Sequence, residues 1–185
     1  MSAPESAPYS PLDTKELAAV MALRVELADV RILETQARCV PAVEEQLPDR
    51  LRFQLEHEHA LDREKKSMAI KLRLGVDALP AGESLDPLLH IQATFLLAYV
   101  LKSADDITDA HCDAFADLNA TFNVWPYWRE YVQSVTVRMG LPALVLPLYR
   151  FGQRLTEGNG TADPVTAPAL AHASPEERQH ADIQR

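Results

Sequence analysis

The sequence predicts an α+β fold: a four-stranded antiparallel sheet followed by a long helix packed on one face, with a short N-terminal helix. Three observations predict it. Two neighbouring segments, 51–59 and 68–76, alternate apolar and charged residues with a period of two. The period then becomes helical, and its apolar stripe ends at Gly-Leu-Pro. With 185 residues and 47% apolar content, the chain is long enough for one core.

The predicted organisation is one domain, residues 13–152, with a segment on either side. Residues 1–12 are rich in Pro and Ser and are expected to form a flexible arm. Residues 153–185 are rich in Ala, Pro, Gly and Thr and are expected to be a mostly disordered tail.

The domain is expected to begin with a short helix capped by Asp13 or Thr14. The first strand, 25–40, follows it. Its apolar residues change parity between Leu27 and Val30, which indicates either a β-bulge or a helix that runs further.

The next two strands are expected to form a hairpin around the charged turn 62–66, with one face in water. A fourth strand, 88–102, is apolar on both faces, which favours a central position or an interface.

The helical part is expected to begin at Thr108 or Asp109, since either residue can cap a helix. Pro126 fits the first turn of a new helix or a kink in a continuous one. Gly140 and Pro142 are expected to end the helix.

Composition and charge limit the partners and the compartment that the chain can have. The formal net charge is −9, from 27 acids and 18 bases, which argues against a nucleic-acid partner. The first residues lack a secretory signal, and the apolar stretch 85–101 is too short and too polar to span a bilayer. The only two cysteines, Cys39 and Cys112, are expected to be buried, inert thiols. These features predict a cytoplasmic protein without membrane insertion.

The sequence holds little that indicates catalysis. His57 and His59 share one face of a strand, but no further zinc ligands follow at recognisable spacing. Asp105 and Asp106 fit the approach to a helix better than a calcium loop. A phosphate loop, Rossmann glycines and a nucleophile elbow are all absent from the sequence. We therefore expect no enzyme, metal or cofactor.

Two motifs carry a family resemblance. Residues 125–130 read Trp-Pro-Tyr-Trp-Arg-Glu, similar to the Phe-Pro-Tyr-Ala-Arg-Glu of SecB, the export chaperone. Residues 138–146 read Arg-Met-Gly-Leu-Pro-Ala-Leu-Val-Leu, similar to the family's Arg-Gly-Thr-Phe-Pro-x-Leu-x-Leu. The predicted order of four strands, long helix and Pro-rich exit also resembles SecB.

The resemblance implies a molecular chaperone without ATPase activity that holds unfolded polypeptides in apolar grooves. It implies a homotetramer, a dimer of dimers, with long helices between two sheets. General SecB passes preproteins to the ATPase SecA, whereas a divergent branch protects the antitoxin of a toxin–antitoxin–chaperone system. Both clients remain open for this chain.

The chain departs from general SecB at the positions that would face SecA. Glu34 is the candidate for one acid of the SecA-docking face, but Arg38 stands where another acid is expected. The family's last helix is replaced by a Gly/Pro-rich tail that starts near Gly152. These departures put SecA docking in doubt and favour the antitoxin branch.

Two sets of candidate residues follow. Client binding needs exposed apolar area beside open backbone. The first set alternates after the helix or forms a groove floor, and ordinary core is its alternative role: Leu144, Leu146, Leu148, Tyr149, Phe53 and Leu55. The second set lies on the apolar stripe of the helix and is assigned to the core or the oligomer interface: Trp128, Tyr131, Val132, Val135 and Met139.

Two other classes of function compete with the chaperone. One is a hot-dog-like or metal-dependent enzyme, in which a long helix also packs on an antiparallel sheet. There most strands follow the helix, whereas here they precede it. The other is a structural oligomer without a client.

Overall fold

The computed structural model describes residues 11–40 and 48–149. The predicted tail 153–185 and nearly all of the predicted arm 1–12 lie outside the described residues, so the domain limits stay predictions. The elements, in chain order, are α1 Pro11–Ala22, β1 Val25–Cys39, β2 Pro48–Asp62, β3 Ser67–Pro80, β4 Leu89–Leu101, α2 Asp109–Phe115, a π-helical turn Ala116–Ala120, and α3 Thr121–Arg138.

The four strands form one antiparallel sheet in the order β1-β4-β3-β2. The predicted fold class is therefore confirmed. β4 lies between β1 and β3, and most of its residues are buried. This central position explains why its sequence is apolar on both faces.

The change of parity in β1 marks irregular pairing. The register with β4 shifts between Leu27 and Asp29 and again between Ile32 and Glu34. An extra residue in one strand moves the following side chains to the opposite face. The bulge interpretation is confirmed, and the alternative of a longer helix is wrong because β1 begins at Val25.

The inner face of the sheet carries the core. Alternate residues of β3 and β4 point at the helices and are at most 5% exposed, so each strand presents one dry side. The members of this layer are Met68, Ile70, Leu72, Leu74, Val76, Ala78, Leu89, Ile91, Ala93, Phe95, Leu97, Tyr99 and Leu101.

The helical layer covers this face as one unbroken rod. Thr108 precedes it in an extended conformation, and α2 passes through the π-helical turn directly into α3. Pro126 lies inside α3, which matches a continuous helix rather than a new helix start. Gly140 follows the helix with φ +77°, a conformation that glycine adopts without strain.

Charged pairs cross the outer face of the hairpin. Arg73 Nη1 lies 2.8 Å from Glu56 Oε2, and Lys71 Nζ lies 3.4 Å from Glu58 Oε2. These pairs satisfy the prediction of one wet face. Within the described ranges, no helix is long and apolar enough to cross a membrane.

Candidate functional site

The exit segment, residues 141–149, leaves α3 and turns back alongside it. Its backbone belongs to no strand of the sheet. Side chains of α3 hold it at three points, so the helix fixes its path without a β-ladder. The three bonds run from Leu144 N to Thr136 Oγ1 at 3.1 Å, from Arg129 Nε to the Leu146 carbonyl at 2.8 Å, and from Trp125 Nε1 to the Pro147 carbonyl at 2.9 Å.

An aromatic cluster lies where the exit segment meets the sheet. The ring centroids of Phe53 and Trp125 are 6.2 Å apart, and those of Trp125 and Tyr149 are 5.1 Å apart. Phe53 and Leu55 lie on β2 and are half-buried against the core. The cluster thus joins the edge strand β2, the helix α3 and the exit segment in one apolar patch.

Strict alternation predicts that the leucines of the exit segment, Leu144, Leu146 and Leu148, point to the same side, but their exposures differ. Leu148 is 75% exposed and Val145 is 43% exposed, whereas Leu146 is 1% exposed and Tyr149 is 8% exposed. Leu144 is half-buried and packs against the core. The exposed area that client binding needs is therefore present at Leu148 and absent at Leu146.

The physical reason lies in the anchors of the exit segment. Arg129 binds the Leu146 carbonyl and draws that residue against the helix. The alternation then breaks at Pro147, so Leu148 points outward and Tyr149 inward. The client-binding roles of all six predicted residues stay predictions.

Of the five helix residues predicted for the core or the oligomer interface, two lie in the core and three are partly buried beside it. Trp128 and Val132 are fully buried within a single chain. Tyr131, Val135 and Met139 are partly buried and pack against the same cluster. For these three residues, the role at an oligomer interface stays a prediction.

Sequence reasoning missed several exposed apolar residues outside the exit segment. On α3, Phe122 is 48% exposed and Val137 is 56% exposed, on the side away from the sheet. On the outer strand β1, Ile32 and Leu33 are about half exposed. Sequence spacing gave no signal for the two residues of α3, because Glu130 and Gln133 lie between them on the exposed side of the helix.

The two histidines of β2 bind carboxylates of the helical layer. His57 Nε2 lies 3.0 Å from Asp117 Oδ1, and His59 Nδ1 lies 3.0 Å from Asp113 Oδ1. The hydrogen bond that His57 donates to Asp117 raises the pKa of His57, although burial opposes it. Across 11–40 and 48–149, no three His, Cys, Asp or Glu side chains form a group that could hold a metal ion.

The cysteines differ from each other. Cys112 is buried, and burial raises the pKa of its thiol to about 11, so it is inert at neutral pH. Cys39 is exposed, which corrects the expectation that both thiols are buried. It ends β1, a strand at the edge of the sheet.

Comparison with known proteins supports the family resemblance. The chain is 28% identical to the SecB-like chaperone Rv1957 of Mycobacterium tuberculosis strain H37Rv, over 74% of this chain and 84% of that protein. It is 27% identical, over the same shares, to the SecB-like chaperone MT2006 of strain CDC 1551. No family model matches the sequence.

A solved structure shows the same fold. Rv1957 in complex with a ChAD peptide from the HigA1 antitoxin superposes with a TM-score of 0.62 and 22% identity, over 76% of this chain and 98% of that chain. The resemblance to SecB-like proteins that the two motifs predict is therefore confirmed in sequence and in fold.

Proposed function

We propose that this chain, which is SecB-like in sequence and fold, is an ATP-independent chaperone that holds unfolded or aggregation-prone polypeptides in the cytoplasm. The observation that carries the proposal is its similarity, over 74% of its length, to a SecB-like chaperone. The exposed Val145 and Leu148 of the exit segment add a physical basis for client binding, since unfolded chains bind through apolar side chains.

An antitoxin is the client that we propose. Rv1957 forms a complex with a peptide of the HigA1 antitoxin, and the present fold matches 98% of that solved chain. The outer face of the present sheet also lacks the character of a SecA-docking face. Glu34 lies on this face of β1, opposite Thr94, but Arg31 and Arg38 lie on the same face.

Charge matching continues across the outer face of the hairpin, where basic residues pair with Glu56, Glu58 and Asp77. Positive and negative charges are thus mixed on this face and form no acidic patch, so the face offers little long-range attraction to a basic surface. A toxin–antitoxin pair encoded beside this gene, and growth arrest by that toxin when the gene is lost, would distinguish the antitoxin client from an export client.

The proposed client surface is centred on Leu148 and Val145, with Phe53 and Leu55 on the neighbouring strand. Its affinity would come from many weak apolar contacts, each worth about 25 cal/mol per Å² buried. This mode suits a chaperone, because it recognises a class of extended apolar segments rather than one sequence.

Suppression of aggregation tests the chaperone function directly. We expect stoichiometric protein to reduce the light scattering of a chemically denatured client after dilution. No reduction at a several-fold molar excess would argue strongly against a holdase.

Leu148→Asp is expected to weaken client binding by about threefold to tenfold, because a charge replaces exposed apolar area worth about 1 kcal/mol or more. Binding is measured by fluorescence anisotropy of a labelled unfolded client. Leu85→Asp is the matched control, since Leu85 is also exposed, at 65% against 75% for Leu148, but lies in the loop after β3. Equal losses in both variants would contradict the location of the client surface.

We further propose that the chain assembles as a homotetramer, a dimer of dimers. Exposed apolar residues support this: Val137 on α3, and Ile32 and Leu33 on the edge strand β1. An edge strand with open backbone groups readily pairs with a second copy, and an apolar helix face readily packs on another.

Val137→Glu is expected to dissociate the assembly through α3 while leaving each subunit folded. Val137 is 56% exposed in the single chain, so the charge costs little there but would be buried between helices. Light scattering coupled to gel filtration measures the mass, and circular dichroism checks the fold. Leu23→Glu, at a residue 79% exposed just after α1, serves as the control.

A further inference from the structure

Two histidines on β2 face a row of three aspartates on the helical layer. His57 pairs with Asp117, while His59 reaches Asp113 at 3.0 Å and Asp109 at 3.6 Å. The aspartates recur every four residues, which places them on one side of the rod. The pairs therefore connect the outer strand β2 to the helical layer.

The His57–Asp117 pair has a connection that the His59 pairs lack. Asp117 lies in the π-helical turn, and its backbone carbonyl accepts a long hydrogen bond of 3.4 Å from the Tyr149 hydroxyl. One residue thus binds β2 through its carboxylate and the end of the exit segment through its backbone. π-helical turns often occur at functional positions in helices.

The exit segment in turn covers the aromatic patch. The Tyr149 ring packs on Trp125, which packs on Phe53. Tyr149 itself is 8% exposed. Trp125 is 4% exposed, so an apolar side chain of a client reaches it only if Tyr149 moves away. The closed exit segment therefore competes with the client for Trp125.

We propose that the His57–Asp117 pair is a proton-controlled latch that holds the exit segment over the aromatic patch and thereby regulates access of the client. The proposal rests on the chaperone function proposed above and adds its regulation. In the protonated state the latch is tight and client binding is weak; in the neutral state the latch loosens and client binding strengthens.

His57 is the titratable side chain that contacts the Asp117 carboxylate, and His59 contacts the neighbouring Asp113. The Tyr149 phenol has its pKa raised to about 12, mainly by burial, so it remains a donor throughout the physiological range. Leu72 of β3 stands opposite His57 and carries no charge. The charged groups on its own side are Asp113 and Asp117, whereas those of β2 and β3 on the other face are Glu56, Glu58, Lys71 and Arg73.

The direction of the pH effect follows from the pKa of His57. The hydrogen bond to Asp117 raises it above the ordinary value of 6.5, so the folded chain binds that proton more tightly than the unfolded chain. The stabilisation by the pair is therefore complete below pH 6.5 and is lost as the pH rises through the raised value. Acid closes the latch, and a pH above the raised pKa of His57 opens it.

The test measures affinity for reduced, carboxymethylated α-lactalbumin, a permanently unfolded probe, at pH 5.5 and pH 8.0. We expect wild-type binding to be about threefold or more weaker at pH 5.5, since a tenfold change corresponds to one unit of pKa difference. His57→Gln keeps a neutral donor toward Asp117 but does not titrate, so its affinity should be the same at both pH values.

His59→Gln is the matched control. It removes a histidine from the same strand and the same row of aspartates, but one without a connection to Tyr149, so it should retain the wild-type pH response. A pH response that persists in His57→Gln, or that disappears equally in His59→Gln, would overturn the latch.

Hydrogen exchange separates failure of the latch from failure of the chaperone function. In the free protein, the amides of residues 143–149 should be more protected at pH 5.5 than at pH 8.0 after correction for intrinsic rates, and His57→Gln should abolish the difference. Equal protection at both pH values overturns the latch even if the probe binds. Absence of probe binding at either pH, with the exchange difference intact, overturns the chaperone function and leaves the latch standing.

Discussion

Replacing Trp128 with alanine is expected to reduce the free energy of unfolding by about 3–5 kcal/mol, the usual cost of deleting a buried aromatic side chain. Trp128 is fully buried, its ring meets Phe95 edge-on at 6.4 Å, and it stacks on Tyr131 at 6.0 Å. Truncation leaves a cavity between α3 and the centre of the sheet. Urea unfolding followed by circular dichroism measures the loss.

Trp128→Phe separates the ring from its polar group. Trp128 Nε1 is buried and has no hydrogen-bond partner in the described part of the chain. An unpaired buried donor costs about 1–3 kcal/mol, which phenylalanine removes while it keeps most of the apolar volume. We therefore expect Trp128→Phe to cost less than half as much as Trp128→Ala. A loss for Trp128→Ala as small as that of the exposed control Leu23→Ala would contradict its place in the core.

The fold could be predicted because its signals are local. The alternation in β2 and β3 reports directly which side of the sheet is dry, and the even residues of β3 from Met68 to Ala78 are all buried. The same holds for the helix end, since Gly140 has positive φ and the next residues leave the helix. At these positions, residues close in the sequence determine the local structure.

The candidate site could be predicted only in part, because it depends on contacts between distant residues. Alternation predicts that Leu146 and Leu148 point to the same side, but Leu146 is 1% exposed and Leu148 is 75% exposed. The bond from Arg129 to the Leu146 carbonyl, which no local pattern predicts, holds Leu146 against the helix. Likewise, His57 and His59 suggested a ligand pair, and no local pattern showed that Asp117, 60 residues away, would bind His57. Spacing along a strand identifies a face but not the element that covers it.

The sequence also did not predict a buried network of polar and charged residues around Asp77, on the outer face of the sheet. Asp77 is 1% exposed, and its Oδ1 lies 2.6 Å from His90 Nδ1. Arg52 and Gln54 both donate to its other oxygen. Gly75 permits this arrangement, because an added Cβ there would lie 3.0 Å from Gln54 Oε1.

Asp77→Ala is therefore expected to reduce the free energy of unfolding by about 3 kcal/mol, at the lower end of the range for breaking a buried pair. The low end applies because the Arg52 side chain is 35% exposed and its charge can return to water. His90 and Gln54 would remain without their acceptor. Chemical denaturation at pH 7 measures the effect.

Glu56→Ala is the matched control, because Glu56 also pairs with an arginine across the same hairpin. That pair is exposed on both sides, at 63% for Glu56 and 43% for Arg73, so its loss should cost less than about 1 kcal/mol. Asp77→Asn keeps the shape and one acceptor oxygen, and we expect an intermediate loss. If Asp77→Ala cost no more than Glu56→Ala, the network would be a surface feature, and the end of the hairpin would owe its order to the apolar inner face alone.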